Sequence, residues 1–212
     1  MLHTMKNDQP KDLTSYIESI RDWYHTALTS FTLYQQLRIK MSPRHVGQES
    51  ARHNVHTWNA YKGVFTVALN NARYTSIMSL AVLFIEGKDK KGRPSMSLSN
   101  LLKEVSENYN IDQAELELIK NKLSSNKTIE TLKVLRNQYL AHADKNPDVI
   151  EISDSMLEDL IALTKHIVAF AERYILHYDI DDDQYRHNTT SSSNLENDVS
   201  MDLDKLFAKL QS

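Results

Sequence analysis

The chain has 212 residues, a formal net charge of −3 and no cysteine, so disulfides, thiolate zinc sites and a cysteine nucleophile are excluded. Only four glycines and four prolines are present, which favours long helices over a turn-rich β fold. The first residues lack the layout of a signal peptide, and the longest unbroken apolar run, Leu80–Ile85, is far too short to span a membrane. The composition therefore predicts a soluble, cytoplasmic protein without membrane contact.

The first predicted helices follow from apolar residues at helical spacing. One covers Leu13–Leu37, and a break that contains proline and glycine comes after it. A second helix runs from about Val55 to Ile85, and its second half is apolar on most faces, as expected for a central buried helix. Residues 86–97 then form a loop by composition, because glycine, proline and basic residues cluster there.

Three shorter helices are predicted in the middle of the chain. They lie at Leu98–Tyr109, at Gln113–Leu123 with Asp112 as the N-cap, and after Thr128, which can cap a helix that ends at the sequence KNPD. The third carries a stripe of apolar residues on one face: Ile129, Leu132, Leu135 and Tyr139.

The last part of the chain combines one long helix with an acidic tail. Ser153 or Ser155 can cap a helix to about Tyr178, and its apolar face is wide enough to suggest a dimer mate. Beyond it, eight acidic and three basic residues predict disorder, although MDLDKLFAKL could form a short amphipathic helix, either frayed or docked on a partner. The sequence thus predicts an all-α domain of about five to six helices over residues 1–178 and an acidic flexible tail over residues 179–212.

Metal and cofactor sites have weak support. His45, His53 and His56 cluster, but no carboxylate joins them at a recognised ligand spacing. The aspartates that follow Tyr178 lack the glycine and the terminal glutamate of a calcium loop. We therefore expect no metal and no cofactor.

The stretch LRNQYLAHADK, residues 135–145, is the main candidate for chemistry. On a straight helix Arg136 and His142 point about 120° apart, and His142 lies almost over Leu135 on the buried stripe. One interpretation is therefore a packed core histidine and an arginine that pairs with a nearby acid. The other is a site for RNA cleavage, which requires that the helix bend near its end or that a second protomer complete the site.

The RNA-cleavage interpretation has a clear chemical basis. Histidine has a pKa near neutrality, which suits it to move the proton of the 2′-hydroxyl or of the leaving group. An arginine fork can stabilise the charge that builds on the phosphate, and an amide such as that of Asn137 can orient either side chain.

Arg-Asn, four residues and then His, late in a helix of an all-helical domain, resembles the HEPN superfamily, and within it the AbiU2-type abortive-infection proteins. The upstream block NARYTSIMSLAVLFIEGKD…SLSNLLKEV is similar as well, and together the two cover about residues 55–178. The resemblance implies an up-and-down helical bundle that dimerises around an RNA cleft. His142 would be the general acid and base, Arg136 would stabilise the phosphorane, and Asn137 would position the pair without a metal.

The same resemblance sets expectations for binding and control. RNA is the expected substrate, with Lys133 and Lys145 as nucleic-acid-binding residues beside the motif, and an antitoxin or defence partner is possible. Toxins controlled by a nucleotidyltransferase carry tyrosine two residues after the histidine, whereas this chain has Asp144. The alternatives are a catalytically silent dimeric interaction module and an RNA-binding subunit that uses Arg136 and the basic loop Lys88–Arg93.

Overall fold

A computed structural model describes residues 13–86, 95–141, 151–176 and 192–211; for residues 138–141, 192 and 193 it describes the backbone alone. These residues form nine α-helices and no strand. The helices are α1 Thr14–Lys40, α2 Pro43–Val46, α3 Gln48–Ala60, α4 Lys62–Phe84, α5 Leu98–Asn108, α6 Gln113–Ser125, α7 Lys127–Ala141, α8 Asp154–Ile175 and α9 Ser192–Gln211. The all-α prediction is confirmed, whereas the predicted count of about five to six helices is too low. Within the described residues, no helix is long and apolar enough to cross a membrane.

The region predicted as one helix from Val55 to Ile85 is divided between α3 and α4. The division lies at Tyr61, whose φ of −117° and ψ of 32° leave the helical region. The preceding stretch, predicted as a break, holds α2 and the start of α3. Gly47 separates these two helices with a φ of +84°, a left-handed conformation that favours glycine.

Side chains that cap helices set most of the remaining boundaries. Asp112 accepts hydrogen bonds from the first backbone N–H groups of α6, as the sequence predicted, and Ser153 does the same for Met156 of α8. At α7 the prediction of Thr128 as the cap is wrong. The Asn126 side chain accepts the bond from the Thr128 N–H instead, so the helix begins at Lys127, two residues earlier than a cap at Thr128 would place it.

The described residues group into two compact units, and the first contains α1 up to Tyr24, the end of α4 from Ala81, and α5 to α8. Its core side chains are almost fully buried: Ile17, Ile20, Leu98, Leu101, Ile119, Leu132, Leu160, Ile167 and Phe170. The wide apolar face of α8 is buried within the chain, so its width does not by itself require a partner.

Polar contacts between segments that are far apart in the sequence stabilise the first unit. Both the Nε and the Nη2 groups of Arg21 donate to the carboxylate of Glu172, which is fully buried. Arg173, the next residue, pairs with Glu115 of α6 at 2.8 Å. Because a buried carboxylate is costly without a cation, the Arg21–Glu172 pair fixes the register of α1 against α8.

The second unit contains α1 from His25, then α2, α3, α4 up to Leu80, and α9. Its centre is a cluster of four buried side chains, Leu37, Phe65, Leu203 and Phe207. The rings of Phe65 and Phe207 stack with centroids 5.2 Å apart, and the ring of Trp58 also stacks on Phe65, at 5.0 Å. Ring stacking of this kind adds to the stabilisation from burial alone.

Helix α9 lies in the segment for which the sequence predicted an acidic flexible tail with at most a short helix. It has 20 residues, and two of its side chains, Leu203 and Phe207, are buried. Lys40 of α1, only 6% exposed, donates to Asp204 at 2.7 Å and to Ser200 at 3.0 Å. The prediction therefore overestimated the disorder of residues 192–211. Residues 177–191 lie outside the described part.

The first part of helix α4 is less buried than the sequence predicted. Val64 is 69% exposed, Val67 58% and Tyr74 40%. Its buried residues in the second unit, such as Phe65 and Leu80, face the core, while these three lie on another side of the helix. From Ser76 to Phe84, in contrast, every residue of α4 is buried or partly buried, so the predicted burial holds for the end of the helix and fails nearer its start.

Candidate functional site

Helix α7 positions the motif of the first unit by burying its apolar stripe. Ile129, Leu132 and Leu135 are 8%, 0% and 5% exposed, which confirms these members of the predicted stripe. Their spacing places them on one side of the helix, so the residues between them turn towards solvent. Burial of the stripe therefore determines which way Arg136 and Asn137 project.

Arg136 and Asn137 contact each other at the exposed side of α7. The Nη2 group of Arg136 donates to Oδ1 of Asn137 at 3.2 Å. Arg136 is partly buried and Asn137 is exposed. Among the described residues Arg136 forms no ion pair, so the expected pairing with a nearby acid is not seen there. The guanidinium of Arg136 is instead oriented by the uncharged amide oxygen of Asn137. This contact does not neutralise the positive charge of the arginine.

Lys133 lies one helical turn before this pair. It is part-exposed, and its Nζ group lies 2.6 Å from the Glu130 carboxylate. Residues three and four apart share a helix face, so Lys133, Arg136 and Asn137 form one polar surface. The structure therefore brings together three of the residues that the sequence singled out.

The remaining motif residues, His142, Asp144 and Lys145, lie outside the described residues, as does the basic loop Lys88–Arg93. The backbone of α7 is helical up to Ala141, the residue directly before His142. The approach of His142 to Arg136 thus stays a prediction.

The three clustered histidines lie in the second unit and are exposed. His45 contacts the Ser42 hydroxyl at 2.9 Å, while His53 and His56 belong to α3. Across the described ranges, no group of three or more histidine, aspartate or glutamate side chains is placed to hold a metal ion.

A cleft of about 650 Å³ opens beside α7, between α5, α6 and the end of α4 in the first unit. Its lining contains four lysines, Lys103, Lys120, Lys127 and Lys133, together with several serines. Sequence reasoning did not find this cluster, apart from Lys133, because the lysines come from three helices and form no run in the chain. We call this feature the lysine cleft.

One of the comparisons with known proteins gives a match. The HEPN_AbiU2 family model, described as AbiU2, matches residues 44–206. No curated protein and no solved structure gives a significant match. The matched range covers well over half of the chain and includes the whole of α7 with its Arg136–Asn137 pair. The chain therefore belongs to the AbiU2 family of HEPN proteins.

Proposed function

We propose that this chain is a metal-independent endoribonuclease of abortive infection, a defence against phage, and that it works as a dimer of up-and-down helical bundles. The observation that carries the proposal is the Arg136–Asn137 contact on the exposed side of α7, in a chain of the AbiU2 family. An oriented guanidinium that faces solvent without an acidic partner among the described residues is suited to bind a phosphate.

The proposed reaction is an internal transfer within RNA. The 2′-oxygen attacks the adjacent phosphorus and loses its proton to His142, while the bond from phosphorus to the 5′-oxygen breaks. A protonated His142 returns a proton to that oxygen, so the products are a 2′,3′-cyclic phosphate and a 5′-hydroxyl. Arg136 stabilises the negative charge of the phosphorane, and Asn137 holds the arginine fork in place.

Helix geometry supports a site shared between two protomers. Arg136 and His142 are six residues apart, which turns them about 120° from each other on a regular helix. Helix α7 is continuous up to Ala141, so no break in the helix before that residue offsets this separation. A second copy of the chain can therefore supply the histidine that acts with this arginine.

Cleavage of RNA in the presence of EDTA tests the proposal. The purified chain is expected to cut single-stranded RNA and to leave 2′,3′-cyclic phosphate ends, which alkaline phosphatase does not remove. His142→Ala and Arg136→Ala should each lower the rate by at least about 100-fold, the usual contribution of a general acid–base group. Thermal melting of each variant shows whether the fold is kept.

His166→Ala is the matched control, because His166 is an exposed histidine on α8, away from the motif. It should cleave as the wild type does. A wild-type chain that never cuts RNA, together with a His142→Ala variant that unfolds, contradicts the proposal and favours a structural role for His142. The silent interaction module would then be the better description.

A further inference from the structure

We infer that the lysine cleft binds the sugar–phosphate backbone of the RNA strand that is presented to Arg136. This inference rests on the proposed function and extends it from the reacting groups to the substrate path. The ligand class is a single-stranded polynucleotide held through several consecutive phosphates.

The charge of the lining favours a polyanion. Among the described residues, four lysines and two glutamates, Glu86 and Glu130, line the cleft, which gives a net charge of +2. The chain as a whole carries −3, so the cleft is a local positive region on a negative protein. Such regions attract nucleic acid and concentrate it at the surface.

The lysines are available to bind phosphate. Lys127 is exposed and has no acidic partner among the residues that the structure describes. Lys103 lies 3.9 Å from Glu107, Lys120 lies 3.1 Å from Glu117, and both pairs are solvent-exposed. Exposed pairs of this kind contribute about 0–1 kcal/mol, so a phosphate can replace either acid at little cost.

The cleft reaches the face of α7 that carries the motif. Lys133 belongs both to the lining of the cleft and to the polar face of α7 that carries Arg136. The two residues are three positions apart, which is about 4.5 Å along the helix axis. A strand bound along the lysines therefore has a path to the arginine on the same helix.

The other lining groups favour contact with the backbone over recognition of bases. Phe84 is the one aromatic side chain in the described lining, and it is only 5% exposed, so it offers no ring face for stacking. The hydroxyl group of Ser99 can donate to a phosphate oxygen, whereas those of Ser106 and Ser124 donate to the backbone carbonyls of Lys103 and Asn121. We therefore expect binding to depend weakly on base identity.

Binding of an uncleavable RNA tests the inference. A labelled 2′-O-methyl oligonucleotide of about twelve nucleotides lacks the attacking hydroxyl and stays intact, and its length suits a single-strand groove. Its fluorescence anisotropy is measured with the full chain at several salt concentrations. The triple variant Lys103→Gln, Lys120→Gln, Lys127→Gln should lose about fourfold in affinity per lysine at 0.15 M salt, or about 60-fold in total, because each phosphate contact contributes about 0.7 to the salt slope.

Two control proteins make the result specific to the cleft. Lys205 lies three residues after its acidic partner, Asp202, at 3.0 Å, just as Lys120 follows Glu117, but it belongs to α9. Lys205→Gln should bind RNA as the wild type does. The triple Lys→Arg variant keeps the charge and should retain binding, which separates a loss of charge from a loss of fold.

The outcomes separate this inference from the proposed function. It is overturned if the wild type does not bind the oligonucleotide, if the triple glutamine variant binds equally well, or if uridine monophosphate binds as tightly as the oligonucleotide. Lysine-dependent binding without cleavage supports the cleft and contradicts the nuclease. Equal cleavage by the wild type and the triple variant supports the nuclease and contradicts the cleft.

Discussion

Arg136 and Asn137 are neighbours in sequence, so their side chains leave α7 about 100° apart. Their 3.2 Å hydrogen bond forms because the long arginine side chain reaches the amide oxygen. One bonded arm orients the planar guanidinium and leaves its other N–H groups for a phosphate. The sequence singled out these two residues and indicated that Leu135 faces the core. It could not predict that the arginine has no acidic partner among the described residues, since this depends on residues distant in the chain.

The single residue Tyr24, in α1, leads to a prediction about how the stability of the fold depends on pH. Burial raises its pKa above the ordinary value of 10.0, because the phenolate loses hydration in the core. The folded chain thus holds this proton more tightly than the unfolded chain does. The stability that neutral Tyr24 contributes is complete below about pH 10 and is lost as the pH rises above that value. Between about pH 9 and pH 11, the Tm of Tyr24→Phe should therefore fall less than that of the wild type, as circular dichroism would measure.

Tyr61→Phe is the control for this measurement, because Tyr61 is 44% exposed. Its Tm should fall with pH as steeply as the wild-type Tm. Equal slopes for Tyr24→Phe and the wild type would contradict the role of Tyr24.

At the scale of elements, α9 shows why composition misled the prediction for the tail. Its acidic residues, such as Asp202 and Asp204, reduce the mean hydropathy of the segment, and low hydropathy with net charge is typical of disorder. The spacing of Leu203 and Phe207 nevertheless places both on one side of a helix, where they enter the core of the second unit. The partners that bury them belong to α1 and α4, more than a hundred residues earlier, so tertiary packing determined the outcome. The break at Tyr61 was missed because apolar spacing continues across it.

Two neighbouring positions on α9 test whether this helix is part of the folded unit. Phe207 is 3% exposed and stacks on Phe65, whereas Leu206 is 43% exposed. Phe207→Ala should lower the free energy of unfolding by about 3 kcal/mol, the usual cost of removing a buried phenylalanine, and Leu206→Ala by less than about 0.5 kcal/mol. Chemical denaturation measures both values. A small effect at both positions would indicate that α9 is not docked in solution.

At the scale of the whole molecule, the helical class and the family could be predicted because they depend on local signals: sparse glycine and proline, apolar spacing and one short motif. The lysine cleft could not, because α5, α6 and α7 each contribute only one or two of its lysines. The wide apolar face of α8 no longer supports the prediction of a dimer, since this face is buried within the chain. The case for two protomers now rests on the six-residue spacing of Arg136 and His142, which on a regular helix turns them about 120° apart.

Mixing two inactive variants tests that case. If Arg136 of one protomer works with His142 of the other, a dimer of Arg136→Ala with His142→Ala has one site with both residues intact and one with neither. Random exchange makes about half of the dimers mixed, so the mixture should recover about a quarter of the wild-type rate of RNA cleavage. If both residues of a site come from the same protomer, every site in the mixture lacks one residue and no activity returns.

The matched control is a mixture of Arg136→Ala with Asn137→Ala, two positions that lie on the same helix and contact each other. Adjacent residues of one helix enter the same site from the same protomer, so each site in a mixed dimer carries one of the two defects. This mixture should cleave at about the mean of the rates of its two parents. Recovery in both mixtures would contradict the assignment of Asn137 to the site of Arg136, and recovery in neither would contradict a site shared across the dimer.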